Sequence, residues 1–351
     1  MLNPHRYAPM LPTTLCGLLM TACGGGDTST GTQAAIVDCP ASYAVTLLPA
    51  PALSSSSAAA VNNLGQAVGE IGGDAAVWRN GTFSAVPNTS GGFNSMALAI
   101  NDSGLVVGAA ETGTPGVYHA FRFSAGTTPA DLGTLGGSSS IASGVNHSGQ
   151  IVGSARITGD AASHAFLYES GTMRDLGTLG GSASNAAAIN SSGQIVGGAQ
   201  VGGNTATHAF RYENGAMIDL GTLGGTESAA SAINDAGQIA GSSQPSGSTD
   251  FHAFVYTAGT MTDIGPSTAA RASGINNRGH VVGRVAAAAS PTGWHAFRYC
   301  GATLTDLNTL VAGSAGVELL DAFDVNDQGD IVGVASSSST PGTVAYLLSP
   351  Q

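Results

Sequence analysis

The stretch HAFRYENGAMIDLGTLGG, at residues 208–225, decides the fold of this chain. Two apolar runs flank Asn214-Gly215, and Asn-Gly between such runs is the strongest short-range signal of a β-hairpin. Upstream, AAAINSSGQIVG at residues 186–197 has the same form around its Asn-Ser-Ser-Gly step, which suits a type I turn closed by a glycine at positive φ. The two hairpins predict four short strands and no helix.

This four-strand unit recurs along the chain after residue 40. The Asn-x-x-Gly turn is followed each time by a short apolar run that ends in glycine. Successive copies are about 44 residues apart, a period in the range of four-stranded propeller blades. The asparagines that begin the seven copies are Asn62, Asn101, Asn146, Asn190, Asn234, Asn276 and Asn326.

Two further motifs repeat in step with the turn. His-Ala-Phe begins at His119, His164, His208, His252 and His295. An Asp-Leu/Ile motif begins at Asp131, Asp175, Asp219, Asp263 and Asp306. Because the histidine and the aspartate of one unit fall in paired strands, we predict a structural hydrogen bond between them. A ring of imidazoles that shares one metal ion is the alternative, but its ligands would lie too far apart.

The two ends of the repeat region complete one unit. Residues 43–48 have the pattern of a fourth strand, and residues 344–348 have that of a third. Their pairing closes the ring and removes exposed sheet edges. We therefore predict an all-β fold at residues 41–351: a seven-bladed β-propeller of four-stranded blades, closed by the N-terminal strand. The sequence leaves open which strand of each blade is innermost.

The N-terminus resembles a bacterial lipoprotein signal. An apolar stretch at residues 11–20, too short to span a bilayer, precedes Thr21-Ala22-Cys23. We expect a signal peptide at 1–22, a lipidated Cys23, and a flexible tether at 23–40. An ordinary secretory signal is the alternative. The glycine after Cys23 favours sorting to the outer membrane, so we expect an exported protein, lipid-anchored in the bacterial outer membrane or on the cell surface.

Two cysteines remain after the signal and the lipid site are set aside. An even pair in an oxidising compartment favours a disulfide, here between Cys39 and Cys300. The predicted blades place the two residues at equivalent positions of adjacent blades. This bond would join the tether end of the chain to the ring.

The repeated motifs resemble those of the bacterial HAF-repeat family. The resemblance rests on His-Ala-Phe, on Asp-Leu-Gly-Thr-Leu-Gly-Gly and on Ile-Asn-x-x-Gly-Gln-Ile-Val-Gly. It extends over about residues 43–351 and is most specific at residues 119–251. It implies an extracellular repeat protein and contributes no mechanism.

Composition excludes several classes of function. The net charge is −12, lysine is absent, and the ten arginines are scattered. Such a chain is a poor match for nucleic acid or for anionic lipid headgroups, so membrane contact is expected only through the lipid anchor. No nucleophile elbow or phosphate-binding helix is present. We expect a monomer with no cofactor and no metal, and not an enzyme.

Candidate binding residues lie on the face opposite the tight turns, where the longer loops and the crossovers between units run. Loops on a rigid scaffold usually carry function. The candidates are Thr134, Thr178 and Thr222 of the crossovers, with Glu318, Asp321 and Asp324 of the last unit. We expect a binding or scaffolding module for a glycan, a peptide or an envelope protein. The alternatives are a lyase or hydrolase that uses the last-unit carboxylates, and a passive envelope spacer.

Overall fold

The computed structural model describes residues 39–351 except 53, 88–93, 289, 291, 312–315 and 339. The described residues form 28 strands and two short 3-10 helices, Gly202–Asn204 and Leu307–Thr309. The strands make seven four-stranded antiparallel sheets, arranged as the blades of a propeller. The predicted fold class is confirmed. The signal peptide and Cys23 lie outside the described residues.

The first three blades follow one another along the chain. Their strands, from first to fourth, are β2 (Ser56–Val61), β3 (Ala67–Ile71), β4 (Asp74–Arg79) and β5 (Thr82–Ala85) in blade one; β6 (Ser95–Ile100), β7 (Val106–Glu111), β8 (Tyr118–Phe123) and β9 (Ala130–Asp131) in blade two; and β10 (Gly136–Val145), β11 (Ile151–Ile157), β12 (Ser163–Glu169) and β13 (Thr172–Asp175) in blade three.

The next three blades repeat this order, and the last one borrows a strand from the N-terminus. Their strands are β14 (Gly180–Ile189), β15 (Ile195–Val201), β16 (Thr207–Glu213) and β17 (Ala216–Asp219) in blade four; β18 (Gly224–Ile233), β19 (Ile239–Pro245), β20 (His252–Thr257) and β21 (Thr260–Asp263) in blade five; β22 (Ala270–Ile275), β23 (Val281–Ala286), β24 (Trp294–Cys300) and β25 (Thr303–Asp306) in blade six; and β26 (Val317–Val325), β27 (Ile331–Ser337), β28 (Thr340–Pro350) and β1 (Tyr43–Leu47) in blade seven.

The N-terminal strand closes the ring as predicted. β1 pairs antiparallel with β28, with Tyr43 opposite Pro350. The predicted disulfide between Cys39 and Cys300 is present, with the two Cα atoms 5.9 Å apart. Arg298 adds a third tie, because its guanidinium donates to the carbonyl of Pro40 at 2.7 Å. The chain entry is therefore fixed to both blade six and blade seven.

A ring of buried asparagines shows which strand is innermost. Each first strand ends just before the asparagine of an Asn-x-x-Gly turn. The side-chain amide of that asparagine donates to the backbone carbonyl of its counterpart in the next blade. The seven bonds are 2.9 to 3.2 Å long and form a closed circle around the axis. We call these residues the asparagine ring. The first strands are therefore innermost, and the exposed fourth strands are outermost.

Neighbouring blades pack large side chains against small ones. The phenylalanine of each His-Ala-Phe motif is fully buried, and Phe210 packs against Ala165 of the preceding blade. First-strand serines add polar ties: the hydroxyl of Ser184 accepts a hydrogen bond from the Ala165 amide across the blade boundary at 2.9 Å. The sequence pattern of large residues on one strand face and small ones on the other predicted this interdigitation.

The propeller has two unlike faces. The turn face carries the Asn-x-x-Gly turns and the hairpins between third and fourth strands. The crossover face carries the loops between second and third strands and the connections from each blade to the next. Within residues 39–351, and apart from the gaps given above, no helix has the length and apolar character of a membrane span.

Candidate functional site

The repeated histidines each bond the aspartate of the adjacent outer strand. Nδ1 of His164 lies 2.8 Å from Oδ2 of Asp175, and Nδ1 of His208 lies 2.8 Å from Oδ2 of Asp219. The same contact joins three more pairs: His119 with Asp131, His252 with Asp263, and His295 with Asp306. Each aspartate except Asp306 also caps the glycine amide two residues later. These side chains therefore tie the outer strands together.

The crossover threonines lie on the expected face, but their hydroxyls are engaged locally. Thr134 donates to the carbonyl of Gly137 at 2.8 Å and accepts from the amide of Gly136 at 3.2 Å. Thr178 and Thr222 repeat both contacts in the next two blades. The hydroxyls stabilise a tight turn. Each hydroxyl could accept a hydrogen bond from a ligand only through its remaining lone pair.

The three acidic candidates of the last unit do not converge. Glu318 lies near the crossover end of β26, where it accepts a hydrogen bond from Nε2 of His295 at 3.1 Å. Asp324 lies beside the turn at the other end, about 20 Å further along the strand at 3.3 Å per residue. It is buried and accepts from the backbone amides of Val61 and Val325. The carboxylates therefore do not form one acid–base or cation site.

A second polar ring surrounds the axis at the turn face, formed by the residues that follow the asparagine ring. Asp102 accepts from both the backbone and the side-chain amide of Asn63, and Asp327 accepts in the same way from Asn277. Burial is the main cause that raises the pKa of Asp102 above its ordinary value. Among the described residues, no three His, Cys, Asp or Glu side chains are placed to hold a metal ion. This ring ties neighbouring blades to one another.

The crossover face of blade six departs from the repeat. Arg271 of β22 and Arg284 of β23 are directly opposite in the strand register. They are the one cross-strand pair of like charges in the strand pairings of the described chain. Like charges in this relationship destabilise a sheet. Neither arginine belongs to any of the repeated motifs.

The equivalent pairs of the other blades carry at most one charge. They are Ser57 with Glu70, Met96 with Ala109, Ile141 with Ser154, Asn185 with Gly198, Ala229 with Ser242, and Asp321 with Val334. Two charged side chains thus meet only in blade six. A departure from a local rule is expected where a chain carries function.

Two aromatic rings hold these guanidinium groups. The Arg271 guanidinium lies 4.3 Å from the ring centroid of Phe251, which belongs to blade five. The Arg284 guanidinium lies 4.7 Å from the centroid of Trp294 in its own blade. Stacking on an aromatic face fixes the plane of a guanidinium and leaves its N–H edge free to donate. We call Phe251, Arg271, Arg284 and Trp294 the arginine–aromatic cluster.

One carboxylate partly offsets the two positive charges. Arg284 forms an ion pair with Asp321 of blade seven at 3.4 Å, and the Asp321 side chain is only 9% exposed. Burial, followed by the nearby Arg284 charge, lowers the pKa of Arg271 from its ordinary value. No hydrogen bond or ion pair to Arg271 is found within the described part of the chain. The cluster and Asp321 together carry one net positive charge.

A cavity opens on the same face at blades three and four. Its volume is about 440 Å³, and hydroxyl and amide side chains dominate its lining. Ser163 and Thr207 lie at the starts of β12 and β16, where blade six has Trp294 at the start of β24. The lining includes Ser139, Ser154, Arg156, Asn185, Gln200 and Thr207.

The arginine–aromatic cluster was not among the residues predicted from the sequence. Its aromatic residues give no distinct signal, because an aromatic precedes histidine in three units, at Tyr118, Phe251 and Trp294. The signal lies in Arg271 and Arg284, which stand where the other units have mostly small or neutral residues. The two arginines are thirteen positions apart in sequence, so only the strand register shows that they are paired.

Comparisons with known proteins give one family match and distant structural likenesses. A family described as a protein of unknown function, DUF3466, matches residues 76–179. No curated protein matches the chain. The fold is similar to TolB from Acinetobacter baumannii, with 13% identity, a TM-score of 0.46, and coverage of 79% of this chain and 63% of that one. It is also similar to a gluconolactonase from Xanthomonas campestris, with 10% identity, a TM-score of 0.40, and coverage of 91% and 94%. Likenesses this low do not bear on function.

Proposed function

We propose that this protein is an exported, monomeric binding propeller whose crossover face binds a glycan, a peptide or an envelope protein. Lipid on Cys23 anchors it to the outer membrane or the cell surface. The Cys39–Cys300 disulfide supports export, because such bonds persist in oxidising compartments.

The contrast between the two faces carries this proposal. On the turn face, repeated residues bind one another in the asparagine ring and in the polar ring that follows it. On the crossover face, blade six pairs two arginines beside aromatic rings where the equivalent pairs of the other blades carry at most one charge, and a cavity lies at blades three and four. Unique side chains on a rigid repeated scaffold are what a binding site requires.

A thermal-shift screen tests the proposal. The full chain with Cys23→Ser, which removes the lipid site, is heated with neutral oligosaccharides, acidic oligosaccharides and cell-wall peptides. A ligand at a hundred times its Kd adds about 2.7 kcal/mol to the unfolding free energy, which shifts Tm measurably. We expect one ligand class to raise Tm.

A double variant locates the site. Arg271→Ala with Arg284→Ala should abolish the shift, whereas Arg278→Ala on the exposed turn should retain it. If no ligand shifts Tm and the immobilised protein retains no envelope protein, the chain is a passive spacer and the proposal is wrong.

A further inference from the structure

We propose that the arginine–aromatic cluster is a carboxylate subsite and that the ligand of the crossover face is a uronate-type acidic saccharide. This inference rests on the proposed function and names the chemical class of its ligand.

The pairing of two arginines in the cluster destabilises the sheet. Arg271 and Arg284 oppose each other on neighbouring strands in a protein whose net charge is −12. Carboxylates are abundant in this acidic chain, yet among the described residues only that of Asp321 pairs with either arginine. An unfavourable like-charge pair persists where another interaction compensates for it, and a bound anion supplies that interaction.

The aromatic rings position the two guanidinium groups as hydrogen-bond donors. The guanidinium carbons of Arg271 and Arg284 lie over the rings of Phe251 and Trp294, 4.3 and 4.7 Å from the ring centroids. The N–H groups in the guanidinium plane remain available, and a guanidinium edge matches the two oxygens of a carboxylate. Arg271 is the better donor, since Arg284 already bonds Asp321. Arg271 therefore binds the carboxylate and Arg284 supports it.

The net charge of the cluster suits a ligand with one negative charge. The guanidinium groups of Arg271 and Arg284, together with the Asp321 carboxylate, leave one net positive charge. A ligand carboxylate would balance that charge, whereas a phosphate dianion would leave one negative charge unbalanced. An acidic saccharide also fits the surroundings. Its hydroxyl groups match the serine, threonine, asparagine and glutamine side chains that line the cavity at blades three and four.

The cavity at blades three and four and the arginine–aromatic cluster lie close together on the crossover face. A Cβ placed on Gly198, which lines the cavity, would lie 3.7 Å from the Cβ of Ala229 in blade five. Blade five also supplies Phe251, on which Arg271 of blade six stacks. A single blade thus separates cavity from cluster, and an oligosaccharide of a few residues spans one blade.

Calorimetric titration tests the proposal on the full chain with Cys23→Ser. The probes are galacturonate oligomers, the same oligomers as methyl esters, inorganic phosphate, and an oligoglutamate peptide. We expect binding of the acid oligomers, at least tenfold weaker binding of the esters, and weakening as salt is raised. Arg271→Ala should weaken binding of the acids at least tenfold, and Arg271→Lys should give an intermediate loss because it keeps the charge without the planar fork.

Arg278→Ala is the matched control, since it removes one exposed arginine from the turn face and should leave the Kd unchanged. A Tm of Arg271→Ala equal to or above that of the parent shows that the variant folds, as expected when a like-charge pair is relieved. Equal affinity for acids and esters, tighter binding of phosphate or oligoglutamate, or an unchanged Kd in Arg271→Ala overturns the carboxylate subsite. If a neutral saccharide or a peptide still raises Tm, the proposed binding function survives that failure. If nothing binds, both proposals fail.

Discussion

The side-chain amide of Asn326 donates to the backbone carbonyl of Asn62 at 3.1 Å, across 264 residues of sequence. This bond joins blade seven to blade one and completes the asparagine ring. The Oδ1 atom of each ring asparagine accepts amides of its own turn, as Asn190 does from the amide of Gln194 at 2.9 Å. One side chain therefore caps a turn and ties two blades together at the axis.

Replacement of one ring asparagine should destabilise the propeller markedly. Asn190→Ala leaves the amide of Gln194 without its partner, and it removes the bond between blades to the carbonyl of Asn234, which keeps only the amide of Gly237. A buried polar group that loses its hydrogen bond costs about 1–3 kcal/mol, so we expect a loss of about 2 kcal/mol or more. Urea unfolding followed by tryptophan fluorescence measures it.

Ser192→Ala is the control for the ring. Ser192 is exposed in the same turn, and its replacement should change the unfolding free energy by less than about 0.5 kcal/mol. Equal effects of the two substitutions would mean that the ring contributes nothing beyond the turn itself.

The hairpins, the number of blades and the closing strand follow from local patterns, which is why the sequence predicts them. Asn-Gly and Asn-x-x-Gly steps between apolar runs specify hairpins without reference to distant residues. The pairing of β1 with β28 follows from the incomplete units at the two ends. The Cys39–Cys300 bond then follows from the positions of the two residues in adjacent blades.

The asparagine ring and the arginine–aromatic cluster depend on relations between blades, which no local pattern contains. The sequence correctly identifies the asparagines as turn residues. Their side-chain amides, however, donate to a backbone carbonyl about one repeat away. Asp324 appeared to belong with Glu318 because the two are near in sequence, yet an extended strand separates them. Both features become apparent only once the innermost strand, the strand register and the packing between blades are known.

Loss of the disulfide should lower stability without changing the fold. The bond links residues 261 apart in sequence, so it restricts a large part of the unfolded chain. Removal of a native disulfide costs about 2–5 kcal/mol. Cys39→Ser with Cys300→Ser, compared with the parent by thermal unfolding, measures the loss.

Reductant provides the matched control for the disulfide. It should lower Tm of the parent to the value of the double variant and leave the double variant unaffected. A parent that keeps its Tm after both thiols have become accessible to alkylation would contradict a stabilising role.

Lipid attachment at Cys23 should determine whether the protein is found in the membrane fraction. Cys23→Ser removes the sulfur that would carry the lipid, so the protein should move from the membrane fraction to the soluble fraction of the envelope. Cys16→Ser, within the predicted signal peptide, should leave it in the membrane. Fractionation with detection by antibody measures both. Membrane retention of the Cys23→Ser protein would refute the anchor.

Glu70 should make stability depend on pH. It stands opposite Ser57 in blade one, and burial raises its pKa above the ordinary value of 4.5. The folded protein therefore binds this proton more tightly than the unfolded chain does, so the unfolding free energy falls as pH rises from 4.5 through the raised pKa. Glu70→Gln removes this ionisation, and it should raise Tm at pH 7 relative to the parent. The difference should vanish below pH 4.5. Asp74→Asn, at an exposed carboxylate in the same blade, is the matched control for the loss of one acidic side chain. Parallel profiles of the parent and Glu70→Gln from pH 4 to 7 would show that burial of Glu70 costs the fold nothing.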